Sequence, residues 1–425
     1  MELILLFLVL ALTLIMGIPV GISLGLASFA YVWVSGLPDA VVLHNMVGGV
    51  NSFPLLAVPF FILAGQLMNT GGITERIFAF ARAVVGWMPG GLGHVNIGAS
   101  VLFAGMSGAA VADAGGLGAV EIKAMRQAGY DTDFAVGITA ASSTIGPIIP
   151  PSLPLIVYGV MASASIGELF VAGLVPGLLM AVALMVMVAW YSWRRAYPRD
   201  AAFRLRYVRD SFRAAFLPLM TPAIIIGGIV TGAFTPTEAA VAAVFWTLIL
   251  GVFVYRSLTW RHVVRVMFDT VETTASILFI VASAAIFAWI LISNQMAARL
   301  AGAVLAISDN PGFVMFAILV IVLVLGLFME TVAAITILVP VLAPVSLAAG
   351  IDPVHLGIVI VLALMIGLLT PPVGLVLYVL AGVSGVSFER CVKATAPFLI
   401  PLVGVLLLVA FVPELSLALP RWLYR

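Results

Sequence analysis

Charge is scarce in this chain. Asp, Glu, Lys and Arg make up 9% of its 425 residues, where water-soluble domains carry about a quarter. That shortage excludes an ordinary soluble domain. With 64% hydrophobic residues and a mean hydropathy of +1.26, it leaves a polytopic membrane protein. A formal net charge of +1 gives no basic surface for a nucleic-acid partner. Cys391 is the one cysteine, so an intrachain disulfide is excluded, and no Cys/His pattern has metal-ligand spacing. No nucleophile–base pair, phosphate loop or HExxH-type motif occurs, which argues against an enzyme. The first apolar run, Glu2 to Ile18, lacks a basic n-region and reads as a mature membrane helix rather than a cleaved signal.

What the chain does have is a motif that occurs twice. The first copy is Ser143-Thr144-Ile145-Gly146-Pro147-Ile148-Ile149-Pro150-Pro151 and the second is Met365-Ile366-Gly367-Leu368-Leu369-Thr370-Pro371-Pro372, each inside an apolar run. Paired prolines remove backbone donors, clash with the preceding turn and push the residue before them out of the helical region. A membrane helix breaks at such a point, and the freed carbonyls need partners in place of water. Two helices broken at matched places point to a binding site.

Each break follows a second interrupted run. Asn96 to Met125 is divided by the small residues Ala104 to Gly116, and Phe313 to Ala348 by Phe328-Met329-Glu330-Thr331. Half of the first run, about a dozen residues, is too short to span, so both runs are predicted to be re-entrant hairpins. Ile73 to Trp87 has the pattern of an amphipathic helix on the membrane surface.

An offset of 221 superposes Gly129 on Gly350, Asp131 on Asp352, Ile145-Gly146 on Ile366-Gly367, Pro150-Pro151 on Pro371-Pro372, Ser163 on Ser384, Glu168 on Glu389 and Pro176 on Pro397. The tips align through Met106 and Met329 at offset 223, which implies a two-residue gap between tip and break. The halves meet at Arg194 to Arg213, with seven arginines. Placing that basic loop in the cytoplasm puts 16 of 19 Lys and Arg on the same side and leaves Arg299, Arg421 and Arg425 outside. The count is then about ten spans with both termini outside, five per half, so the repeats are inverted, as in many secondary transporters.

Hairpin tips and breaks of this kind converge near the midplane. Half-helix N-termini suit anions, whereas half-helix C-termini, unwound carbonyls and hydroxyls suit small hard cations. The available hydroxyls are Ser107, Ser142, Ser143 and Thr144 in one half, and Thr331 and Thr370 in the other. Two quasi-symmetric Na⁺ sites are expected; the competing reading has these hydroxyls serving the backbone alone. Asp113 and Glu330 near the tips have either an ion or proton role or, more simply, a helix-capping one. Glu121, Lys123 and Arg126 read as a solvated interfacial face, and the four histidines as loop residues.

The stretches FAGMSGAAVADAGGLGAVEIKAMRQAGYD, SSTIGPIIPPS, GLFMETVAAITILVPVLAP and GLLTPPVG resemble the large, DctM-like membrane subunit of tripartite ATP-independent periplasmic (TRAP) transporters, a likeness that covers essentially the whole chain. The resemblance implies an all-α, inverted-repeat elevator transporter driven by Na⁺, with no other cofactor. It also implies three partners: a small four-helix membrane subunit (DctQ-like), a periplasmic substrate-binding protein (DctP-like), and an organic acid such as a C4-dicarboxylate or sialic acid. Residues 1–91 and 214–300 would form the scaffold, 92–193 and 301–425 the transport halves, and 194–213 the basic loop. One Na⁺ would lie among Ser107, Gly108, Ser143, Thr144, Gly146, Ile148 and Pro150; the other among Glu330, Thr331, Gly367, Thr370 and Pro371. Ser107, Asp113, Ser152 and Thr331 are the candidate substrate contacts. The alternative is a stand-alone divalent-anion/Na⁺ symporter that needs no binding protein; a channel or membrane enzyme lacks its filter or catalytic pair in the sequence.

Overall fold

Why the chain folds as it does is clearest where helices stop. Asp352 precedes Pro353, and its carboxylate accepts the Val354 N–H at 2.8 Å, which starts one helix; Thr235 and Glu238 form a reciprocal capping box that starts another. Prolines 147, 150 and 151, and 371 and 372, end helices within apolar sequence, and both Pro–Pro bonds are cis.

The computed structural model of the chain describes residues 2–200, 204–308 and 310–424, without the side chains of 105–107, 297, 298, 301, 304, 305 and 307. Among the described residues all regular structure is helical and there is no strand. Seven helices are long and apolar enough to cross a membrane by length and composition: Phe53–Thr70, Ile166–Arg195, Leu205–Val230, Pro236–Val254, Trp260–Ser293, Thr331–Ala348 and Phe388–Phe411. Large apolar side chains such as Phe253, Phe268 and Ile400 are exposed along such helices, as expected of lipid-facing surface.

The repeat is visible in the helix boundaries. Gly91–Ser107 turns back into Ala110–Gly115 and Leu117–Gln127, while Pro311–Gly326 turns back into Thr331–Ala348. Thr132–Ser143 and Leu153–Ala162 flank the first break, and Pro353–Gly367 and Leu375–Ser384 the second. Returning arms start at Ala110 and Thr331, and end at Gln127 and Ala348, at the same offset of 221 that relates the breaks. No gap therefore separates tip from break; the length difference lies in the tips, 108–109 against 327–330.

The two halves interlock. Thr132–Ser143 packs on Phe388–Phe411, and Pro353–Gly367 on Ile166–Arg195, so each broken helix rests on the long helix of the other half. At Gly137 a Cβ would lie 2.2 Å from the Ala394 carbonyl oxygen, a backbone approach that only glycine permits. Cross-half polar contacts include Tyr158 Oη donating to the Pro353 carbonyl at 2.6 Å and an Arg126 guanidinium N–H to the Ser384 carbonyl at 2.8 Å. One apolar core runs through the hairpins and broken helices; a separate core joins Leu6, Leu24 and Val32 to Phe287 and Ile290 of Trp260–Ser293.

Several expectations need correcting. Arg194–Arg213 is not mainly loop: one helix runs on to Arg195 and the next begins at Leu205. Arg194 and Arg195 stack on Trp190 and Tyr191 at 4.7 and 5.0 Å, and basic residues favour a helix C-terminus. The four histidines sit in helices, and buried His355 pairs Nδ1 with Ser416 Oγ at 2.8 Å. Glu121 is buried rather than solvated, because its helix turns it toward Asn96.

Candidate functional site

Each tip touches its own break. Gly108 has a φ of +59°, and a Cβ there would lie 2.7 Å from the Pro151 carbonyl oxygen, so the first turn needs glycine twice over. At the second, the Val373 N–H donates to the Leu327 carbonyl at 3.3 Å, and a Cβ on Gly367 would meet Gly326 at 2.6 Å. Chain topology thus brings together both pairs that the sequence pattern paired.

The candidate cation residues fall into place unevenly. Ser143 Oγ donates to the Ala140 carbonyl at 2.8 Å, Thr144 Oγ1 to that of Ala141 at 2.6 Å and Thr370 Oγ1 to that of Ile366 at 2.8 Å. Their hydrogens serve the backbone, which leaves oxygen lone pairs free to accept. Gly146 and Pro150 are buried in the first break, whereas Pro371 is exposed in the second. The Ile148 carbonyl oxygen lies against Gly173 of Ile166–Arg195, on the side of that helix. Ser107 ends the first hairpin arm, and its side chain lies outside the described residues.

The two acids separate in role. Glu330 is the N-cap of Thr331–Ala348, its Oε2 accepting the Val332 and Ala333 N–H groups at 2.8 and 3.1 Å. Asp113 is not a cap: Ala109 holds that position, and Asp113 is buried within Ala110–Gly115. Ser152 is fully buried, donates to the Pro147 carbonyl and accepts the Leu155 N–H at 3.2 Å, so its hydroxyl caps a helix.

Both tips and both breaks line one cavity of about 640 Å³, through Gly108, Pro147, Glu330, Thr331 and Leu368. Thr331 is 2% exposed, and its Oγ1 has no hydrogen-bond partner among the described residues. Trp260–Ser293 also lines the cavity, with Glu272, Thr273 and Ser276. Sequence reading missed these three, although an acid within an apolar span was the available signal. It also missed a buried network behind the first break: Asn96 Nδ2 donates to Glu121 Oε2 and Thr139 Oγ1 at 2.7 Å each, and Ser142 Oγ to Asn96 Oδ1 at 2.6 Å.

A helical membrane chain whose two halves each send a hairpin and a broken helix to one cavity is a transporter. Residues 7–415 match the family described as tripartite ATP-independent periplasmic transporter, DctM component, and the chain belongs to that family. It is 49% identical over 95% of both chains to the sialic acid TRAP transporter large permease protein SiaM of Vibrio cholerae. It is 43% identical to the sialic acid TRAP transporter permease protein SiaT of Haemophilus influenzae, over 96% of this chain and 66% of that protein. Among solved structures, the Alcanivorax borkumensis YdaH transporter shares the fold, with a TM-score of 0.62 at 14% identity over 90% of this chain and 87% of that one. The chain is accordingly a transporter component and not an enzyme.

Proposed function

We propose that this chain imports an organic acid, a C4-dicarboxylate, sialic acid or a similar carboxylate, across a bacterial inner membrane with Na⁺ as the coupling ion. A periplasmic binding protein delivers the substrate, a small membrane subunit completes the permease, and both termini of this chain face the periplasm. The observation that carries the reading is the single cavity shared by two tips and two breaks. One Na⁺ binds among Ser107, Gly108, Ser143, Thr144, Gly146, Ile148 and Pro150, and another among Glu330, Thr331, Gly367, Thr370 and Pro371. Hydroxyls that have given their hydrogens to carbonyls support cation binding at both breaks. The packing of each broken helix on the long helix of the other half supports an elevator in which hairpins and broken helices move as one body against the remaining helices.

The test is uptake into proteoliposomes containing this chain and its small subunit, with and without an inward Na⁺ gradient and the binding protein. Uptake that needs both is the expected result. Uptake indifferent to the binding protein would move the chain to the stand-alone symporters, and uptake driven by protons alone would overturn the Na⁺ sites.

A further inference from the structure

The cavity has two chemically different walls. On the tip side, Thr331 Oγ1 is buried without a partner among the described residues and keeps a hydrogen to donate. On Trp260–Ser293, Thr273 Oγ1 has given its hydrogen to the Asp269 carbonyl at 2.9 Å and presents lone pairs. Next to it, Glu272 is exposed to the cavity and makes no hydrogen bond or ion pair among the described residues. The described lining contains no Lys, Arg or His, and the other lining carboxylate, Glu330, holds two backbone N–H groups with one oxygen. Among the described lining residues, Glu272 is therefore the carboxylate that no N–H of the chain holds.

We infer that Glu272 is a specificity-determining residue: it receives hydroxyl or amide N–H groups of the bound acid and repels a second carboxylate. The permease then takes polyhydroxylated monocarboxylates in preference to compact dicarboxylates. An ionised carboxylate only accepts, so it pairs with the O–H groups of a sugar acid through charge-assisted hydrogen bonds, whereas the far carboxylate of a C4 acid offers it nothing but like charge. The acid's own carboxylate faces Thr331, and its hydroxylated end reaches Glu272. This inference rests on the import of an organic acid proposed above and narrows its substrate class.

The experiment uses the purified complex with its small subunit, in Na⁺ and without binding protein, so that the permease alone selects. Thermal shift is titrated with sialic acid and with succinate for the wild type, Glu272→Gln and Glu272→Ala. The wild type should respond to sialic acid at concentrations at least roughly tenfold below succinate, and both variants should lose that preference. The shift caused by Na⁺ alone should stay unchanged in both variants, which shows that they are folded. Equal response of the wild type to both acids, or full retention of the preference in both variants, overturns the inference. Uptake through the binding protein, run in parallel, keeps the two ideas apart: if it remains Na⁺-dependent while selectivity ignores Glu272, only the specificity role falls. If no acid produces a shift in Na⁺, both fall.

Discussion

The two breaks share a backbone pattern and differ in what surrounds them. Every residue of 144–152 is buried, whereas Thr370 is half-buried, and Pro371 and Pro372 are exposed. The first tip is a two-residue turn without a side-chain cap, pressed on its break through Gly108; the second is longer and capped by Glu330. Behind the first break lies the Asn96–Glu121–Thr139–Ser142 network, while Leu342, Ile360 and Ala363 stand at the positions that an offset of 221 pairs with Glu121, Thr139 and Ser142. Repetition thus preserves where helices break, and the filling around each break is free to diverge. One break is held from all sides; the other is open to exchange.

The sharpest way to break this comparison is at the tight tip. Gly108→Ala puts a methyl 2.7 Å from the Pro151 carbonyl in a left-handed backbone. Displacing the tip by an ångström should cost transport about a hundredfold. Gly374→Ala at the open break also has a positive φ, yet its nearest neighbour is the Leu377 side chain at 3.0 Å, which can move. It should cost only the left-handed penalty, about 1–2 kcal/mol of stability. Uptake and thermal unfolding of both variants, side by side, check the contrast; equal losses would remove it.

Next in size is the buried network. Asn96→Ala leaves Glu121 buried without its donor and should destabilise by about 1–3 kcal/mol or more. Replacing Glu121, Thr139 and Ser142 with the Leu, Ile and Ala of the other half, together with Asn96→Ala, removes the polar groups at once and should cost less than Asn96→Ala alone. Thermal unfolding in detergent compares the single and combined variants. A combined variant worse than the single one would show that the network does more than satisfy itself.

The capped tip follows. Glu330→Ala removes the acceptor of the Val332 and Ala333 N–H groups and should cost about 1 kcal/mol. Glu330→Gln keeps an acceptor oxygen for those N–H groups and should leave stability closer to wild type. Unfolding midpoints of the two variants measure the difference.

The breaks themselves were legible in the sequence because paired prolines leave the backbone no helical option, whatever packs around them. The hairpins were legible because small residues or an acid interrupt runs too short to span. What surrounds them was not. Nothing in the local pattern says that Glu121 faces Asn96, 25 residues earlier, or that Ser152 caps a helix rather than facing the cavity. Glu272 stands out as an acid within an apolar span, but only the fold brings Trp260–Ser293 to the cavity that the tips line. These are long-range placements, decided by packing between halves. The basic stretch misled for a different reason: arginines that look like loop extend helices beyond their apolar parts, where dipole and aromatic contacts favour them.

The smallest effect concerns the residues that open the broken helices. Asp352 spends its carboxylate on the Val354 N–H, whereas Asp131, at the same repeat position, makes no side-chain cap bond. Its Oδ2 instead accepts from Tyr197 Oη and Arg195 Nη1, each at 2.7 Å. The Tyr197 hydrogen bond holds the Asp131 carboxyl below its ordinary value; burial opposes it, and Arg195 adds to the lowering. Burial pushes the Tyr197 phenol up to about 12, so it remains a donor at every pH of interest. A carboxyl lowered by folding stabilises above its unfolded pKa, about 3.9, and loses that contribution as pH falls through the folded value. Tyr197→Phe should therefore lower the unfolding midpoint slightly at neutral pH, as befits an exposed ion pair. The gap between variant and wild type should stay constant down to about pH 5 and close below about pH 4. A gap that persists at acid pH would assign the effect to the hydrogen bond that the Tyr197 hydroxyl accepts from Arg195 rather than to Asp131.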